Sequence, residues 1–232
     1  MKLKITVLFC LIMTTVFNCK NEQRLQHLFI LSGQSNMQDI PINKSFIPII
    51  ETTFGKKNVL VVKYAQDGKS IRQWDTNYKS TREELNLYDR LLNKIDAKIK
   101  NDSTQTVTFI WMQGESDAKK QLGDTYEKSL IHLYNRLSAD LKKEDIHFIL
   151  GRLNDFDMNN ENFPHWTMIR DIQMKVASSH PKFDWVNTDD LNDGVNRNGT
   201  ILNNDLHMSE KGYEILGKRF AEKAILVIEN NQ

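Results

Sequence analysis

Five short runs along the chain are apolar nearly throughout: residues 27–32 (HLFILS), 58–64 (NVLVVKY), 105–112 (QTVTFIWM), 146–150 (IHFIL) and, more weakly, 184–187 (DWVN). They do not alternate apolar with polar, which is the pattern of strands covered on both faces. Between them the apolar period lengthens to three and four. Over 81–100 the stripe is Leu85, Tyr88, Leu92, Ile95 and Ile99, with Thr81 and Glu84 as a capping box. Over 124–142 it is Tyr126, Leu130, Leu133, Leu137 and Leu141, with a cap expected at Asp124 and Glu127. A third helix is expected at 165–178. A last one, from Ser209 to about Ile228, carries Tyr213, Leu216, Phe220 and Ala224 on one face. Strands alternating with helices predict a five-stranded parallel sheet between helical layers, and right-handed crossovers make this a three-layer α/β/α sandwich.

The first eighteen residues fall outside this pattern. Lys2 and Lys4 precede an apolar run from Ile5 to Phe17 without an acidic residue, as in a secretory signal peptide. Cys19, in VFNCKNE, sits where a bacterial lipoprotein is cleaved and acylated, although Phe17 and Asn18 are bulkier than usual there. Residues 19–26 then read as a polar tether and 27–232 as the domain, placed outside the cytoplasm in the periplasm or at the cell surface. The membrane enters this picture through the lipid anchor alone. Cys10 lies in the leader, so no internal disulfide is expected.

With 232 residues, 40% hydrophobic and 26% charged, the chain is long enough for one sizeable core. A formal net charge of +1 gives no reason to expect nucleic acid as a partner. Nothing in the composition sets an oligomeric state.

In a parallel sheet, ligands bind outside the carboxyl ends of the strands. Here those ends carry Gly33-Gln34-Ser35-Asn36, Gln66-Asp67-Gly68-Lys69-Ser70, Gln113-Gly114-Glu115-Ser116-Asp117 and Gly151-Arg152-Leu153-Asn154, with Asn203-Asn204-Asp205-Leu206-His207 before the last helix. Ser35 at a strand-to-helix turn offers an exposed hydroxyl and an N–H at the positive end of a helix, the equipment of an acyl-transfer nucleophile; a plain helix cap is the competing role. Five of the six histidines fall in strands, in mid-helix or beside prolines, where packing explains them. His207 differs, because it lies on the rim with Asp205 two residues earlier, facing the same way in an extended segment. An oxyanion needs more than one donor. Gly68 can bring its N–H close and Gln113 can offer its amide, against the plain roles of turn glycine and solvated loop residue.

The same segments carry a family resemblance. GQSNM at 33–37, DGKSIRQW at 67–74, WMQGESD at 111–117 and DLHMSEKGYEILGKRFA at 205–221 resemble the motif blocks of the SGNH hydrolases, and more narrowly the sialate O-acetylesterase-like group that includes the acetylxylan esterases of carbohydrate esterase family six. WTMIRDIQ at 166–173 also resembles that group. The resemblance implies a flavodoxin-like fold, Ser35 as nucleophile and His207 as general base. It implies an oxyanion hole from the Ser35 N–H, the Gly68 N–H and the Gln113 side chain, with no metal or organic cofactor. The acid usual in SGNH enzymes lies three residues before the histidine, where this chain has Asn204. Asp205, one step later, and Glu115 in QGESD are the two substitutes.

The expected activity is removal of acetyl groups from a carbohydrate. Arg72 and Trp74 after the Gly68 loop, and Gln34 and Asn36 beside the serine, are candidate substrate contacts. Two other readings stay open at this point: an esterase acting on a lysophospholipid or thioester, and a non-catalytic glycan-binding protein that keeps the fold.

Overall fold

The computed structural model describes residues 26–75, 86–99 and 104–231. The leader, Cys19, most of the tether and the Thr81/Glu84 cap lie outside the described residues; Gln26, expected in the tether, already belongs to the first strand.

In chain order the elements begin with β1 (Gln26–Gly33), three short helices α1 (Ser35–Gln38), α2 (Ile42–Ser45) and α3 (Ile47–Phe54), and β2 (Val59–Ala65). A 3-10 turn (Ile71–Trp74) precedes α4 (Leu87–Ile99), β3 (Thr104–Met112), α5 (Glu115–Lys119) and α6 (Gly123–Leu141). The chain continues through β4 (His147–Gly151), α7 (Trp166–Ala177) and β5 (Phe183–Val186) to a small hairpin, β6 (Gly194–Val195) and β7 (Ile201–Leu202), and ends in α8 (Glu210–Glu229).

The five long strands form one parallel sheet in the order β2-β1-β3-β4-β5. This flavodoxin-like order reverses direction between β1 and β3, the place where such sheets open a crevice for ligands. All eight residues of β1 are buried. Leu28 and Ile30 join a core with Phe109, Trp111, Tyr126 and Trp166, while Phe29 and Leu31 join a second with Phe46, Ile110, Leu216 and Phe220. The period of two along the strand therefore feeds two separate cores, which is why the strand reads as uniformly apolar. Each fully buried Leu or Phe contributes about 1.5–3 kcal/mol. Among the described residues no helix is long and apolar enough to cross a membrane.

Helix starts depart from the sequence expectation. The described part of α4 begins at Leu87, with the Asn86 side chain accepting from the Asp89 N–H at 2.8 Å. In α6 the expected cap is absent: Leu122 holds the cap position without a side-chain bond, and Asp124 lies inside the first turn. A carboxylate there still faces the positive end of the helix, so it stabilises by charge rather than by capping. Ser209 does cap α8, accepting from the Gly212 N–H at 3.0 Å. The helices α1–α3 and the hairpin carry no long periodic stripe, and the sequence reading did not find them.

The ends of β1 and β3 are joined tightly. The Gln34 N–H donates to the Met112 carbonyl at 3.1 Å, and the Gln66 N–H donates to the Gly33 carbonyl at 3.0 Å. Gly33 has φ +149°, and a Cβ there would lie 1.9 Å from the Met112 carbonyl oxygen. Backbone, not a flexible side chain, would have to move. Gly33→Ala is expected to lower stability by about 3 kcal/mol or more, from strain and clash together; a urea unfolding midpoint matching the wild type would contradict this packing.

Candidate active site

Ser35 follows β1 by two residues and opens α1, while His207 lies in the loop that leads into α8. The fold brings them together across 172 positions of sequence: His207 Nε2 stands 3.3 Å from Ser35 Oγ. Ser35 is 7% exposed, so its hydroxyl is presented at the bottom of a recess. Asp205 Oδ1 accepts from the His207 backbone N–H at 2.8 Å and lies 3.9 Å from His207 Nδ1. That separation is beyond a hydrogen bond.

A buried amide joins the two halves of this pair. Asn36 Nδ2 donates to Glu115 Oε1 at 2.6 Å and to the Leu206 carbonyl at 3.2 Å, and Asn36 Oδ1 accepts from the Tyr213 hydroxyl at 2.8 Å. The carbonyl of Asp205 accepts from Asn154 Nδ2 at 3.1 Å and from Asn192 Nδ2 at 3.2 Å. The His207 loop is thus held by neutral amides through its own backbone. Burial pushes the Glu115 carboxyl above its usual range, opposed by hydrogen bonds from its own N–H and from Asn36. Its Oε2 is buried without a partner among the described residues.

A second network lies behind the serine. Gln113 is fully buried, and its Nε2 donates to Gln34 Oε1 (3.2 Å), the Lys69 carbonyl (3.2 Å) and Asp117 Oδ2 (2.5 Å). Asp117 Oδ2 also accepts from the Ile71 N–H at 2.9 Å, and Gln34 Oε1 accepts from the Ser116 N–H at 3.2 Å. Asp117 is 1% exposed, and burial pushes its carboxyl up to about 6 against the pull of those hydrogen bonds.

Over Ser35 and His207 opens a pocket of about 500 Å3. The hairpin contributes Asn196, Arg197 and Thr200 to its lining, and the β2 end contributes Asp67. Arg197 pairs with Asp39 across the mouth at 3.2 Å. Leu202 and Met208 are the apolar members of a lining otherwise made of amide, hydroxyl, carboxylate and guanidinium groups, with Tyr213 and His207 as its rings. Among the described residues no three His, Cys, Asp or Glu side chains are grouped to hold a metal ion.

Several expectations for individual residues need correction. Asn36 (1% exposed) is an internal brace rather than a substrate contact, because both atoms of its amide are bonded within the fold, and Gln34 (3%) is buried with its Oε1 accepting from Gln113 Nε2 and the Ser116 N–H. Trp74, also 1% exposed, packs edge-on against Trp111 at 5.2 Å and cannot stack on a sugar. Arg72 is exposed on the 3-10 turn but outside the lining of the pocket. The Gln113 amide is spent on three internal acceptors and turns no donor toward the pocket. Gly68, by contrast, is exposed, has φ +65°, and a Cβ there would meet nothing within 4 Å. The sequence reading missed the Tyr213 hydroxyl, Asn154, Asn192 and the hairpin. Asn154 follows β4 on the rim, so its place in the chain was a usable signal; Tyr213 was hidden as a member of an apolar stripe.

The comparisons agree with this architecture. A family model described as "Carbohydrate esterase, sialic acid-specific acetylesterase" matches residues 39–226, a span that includes His207 and starts just after Ser35. A search of the curated proteins by sequence found no match. Among solved structures, a protein from Arabidopsis thaliana is similar at TM-score 0.65 and 16% identity, covering 87% of this chain and 98% of its own. A carbohydrate acetylesterase from Xanthomonas citri is similar at TM-score 0.59 and 15% identity; 86% of this chain is covered, and it spans 56% of that longer protein. A member of the lipolytic G-D-S-L family from Veillonella parvula is similar at TM-score 0.54 and 15% identity, covering 84% of this chain and 97% of its own. At these identities the likeness is one of fold.

The buried acid behind the serine has a consequence for stability. Asp117 holds its proton in the folded state up to about pH 6, whereas the unfolded chain releases it near 3.8. Between those values the native state binds more protons than the unfolded one, so stability falls as pH rises from about 4 to about 6 and levels off above. The loss is at most about 3 kcal/mol. Urea unfolding at pH 4 and pH 7 is expected to show a smaller decline in Asp117→Asn than in the wild type; equal declines in both would remove Asp117 as the cause.

Proposed function

Because this chain belongs to the sialic acid-specific acetylesterase family of carbohydrate esterases, we propose that it is a serine carboxylic-ester hydrolase that removes O-acetyl groups from carbohydrates. The observation that carries this reading is the 3.3 Å approach of His207 Nε2 to Ser35 Oγ on the floor of a polar pocket. Ser35 Oγ attacks the acetyl carbonyl carbon while its proton passes to His207 Nε2. The oxyanion that forms is met by the N–H groups of Ser35 and Gly68, neither of which has a backbone acceptor among the described residues. Collapse of the intermediate breaks the ester bond, and the departing sugar oxygen takes the proton from His207. Water, deprotonated by His207, then attacks the acetyl-enzyme and releases acetate.

Of the two candidate acids, Asp205 is favoured, because its carboxylate lies 3.9 Å from His207 Nδ1 whereas Glu115 is engaged by Asn36. An acid that acts on the imidazole through space contributes less than one bonded to it. The polar lining favours a hydroxyl-rich substrate over a long acyl chain, which needs an apolar groove. The apolar leader and Cys19 support a location outside the cytoplasm as part of this proposal.

Fluorophosphonate labelling is expected in the wild type and absent in Ser35→Ala, with acetate release from acetylated glycans falling on the order of 10^4-fold or more in Ser35→Ala and His207→Ala. Asp205→Ala is expected to cost about 10- to 100-fold, well short of the loss for a bonded triad acid. Turnover of p-nitrophenyl palmitate above that of p-nitrophenyl acetate would refute the carbohydrate reading, and full activity in Ser35→Ala would refute the mechanism. Metabolic palmitate labelling that persists in Cys19→Ser would exclude the proposed anchor.

A further inference from the structure

The Gly68 turn is poorly supported by its own surroundings. Gly68 is exposed, sits in the left-handed region at φ +65°, and has open space where a side chain would be. Upstream, the turn is tied to the nucleophile's side of the crevice: the Gln66 N–H donates to the Gly33 carbonyl at 3.0 Å and the Asp67 N–H to Gln38 Oε1 at 3.2 Å. Downstream, side chains on the β3 side hold it. The Lys69 carbonyl accepts from Gln113 Nε2 at 3.2 Å, and the Ile71 N–H donates to Asp117 Oδ2 at 2.9 Å. Both of these partners are buried, and they are joined to each other at 2.5 Å.

We infer that Asp117, acting with Gln113, is a positioning residue that fixes the Gly68 turn so that the Gly68 N–H stays aimed at the oxyanion formed on Ser35. A carboxylate suits this place because one oxygen accepts from two donors at once, the Gln113 amide and the Ile71 N–H, and presents no donor of its own. A leucine, similar in size, would leave the Gln113 amide and the Ile71 N–H without this acceptor. Gln113 gains its orientation in the same way: with its Nε2 committed to Asp117, Gln34 and Lys69, it ties the residue before the nucleophile to the residue after Gly68. The side chain expected to touch the oxyanion itself instead sets the spacing between the two backbone N–H groups that do. The last acidic residue of the QGESD segment, which the catalytic steps above do not use, acquires a role here.

The inference rests on the esterase reading, and the test separates the two. Rates are measured at pH 8, where Asp117 is ionised, on p-nitrophenyl acetate and on its thionoester, in which sulfur replaces the carbonyl oxygen and gains much less from N–H donors. A displacement of a donor by about 1 Å costs on the order of 100-fold. Asp117→Leu is therefore expected to lower kcat on the oxygen ester by about 30- to 100-fold with KM changed less than about threefold, while the thionoester rate falls less than about threefold. Partial unfolding would lower both rates equally, and equal losses on the two substrates would overturn the inference, as would an unchanged oxygen-ester rate. Gln113→Met, similar in length and without a donor, is expected to give the same split and serves if Asp117→Leu does not fold. Failure of the wild type to hydrolyse p-nitrophenyl acetate would overturn the esterase reading itself, and this inference with it, before any variant is made.

Discussion

The buried side chain of Asn36 is the point at which four distant segments are tied to one another. Its amide nitrogen reaches Glu115 after β3 and the Leu206 carbonyl beside His207, and its oxygen receives the hydroxyl of Tyr213 on α8. Since Asn36 follows Ser35 directly, any shift of this amide moves the nucleophile relative to the imidazole. A buried donor or acceptor left unpaired costs about 1–3 kcal/mol, and three partners share this one side chain. The amide therefore couples stability of the rim to geometry of the Ser35–His207 pair.

The sheet order makes this meeting possible. With β1 and β3 adjacent and β2 and β4 on either side, the chain leaves each strand at the same edge, and the reversal between β1 and β3 leaves room for loops to converge. Gly33 permits the two strand ends to approach so closely that the Gln34 N–H reaches the Met112 carbonyl. From there Gln34 and Gln113 meet side chain to side chain. Packing of the two apolar cores fixes the strands, and the strands in turn fix where the amides can reach.

Two styles of polar burial divide the site. Around His207 the backbone is held by Asn154, Asn192 and Asn36, neutral amides that can be buried fully paired at modest cost. Behind Ser35 the supports include two buried carboxyls, Glu115 and Asp117, both pushed upward by burial. A buried acid is an expensive support, and Asp117 offsets part of that cost by accepting from both the Gln113 amide and the Ile71 N–H. The pocket above has the opposite character. It is open, polar and spanned by the exposed Arg197–Asp39 pair, the kind of surface contact worth about 0–1 kcal/mol.

The periodicity of the chain by itself determined the five strands, the burial of β1 and β4 on both faces and the helices α6, α7 and α8, while the edge strands β2 and β5 stay half-buried; burial of a strand or helix face is encoded locally, at spacings of two and 3.6 residues. Ser35 and His207 were readable for a related reason: each lies immediately after a strand or before a helix, and their segments resemble a known family. The partners of the residues beside them were not readable. Gln34, Asn36, Gln113 and Trp74 were taken for groups facing a substrate or an oxyanion, and the fold turns all four inward. Their roles depend on contacts such as Trp74 with Trp111, 37 positions apart, and Asn36 with Tyr213, 177 apart. Whether a polar side chain beside a catalytic serine faces solvent or a buried amide is decided by which loops arrive opposite it. Only the tertiary structure brings those loops together, since no local pattern carries the identity of a hydrogen-bond partner supplied by another strand.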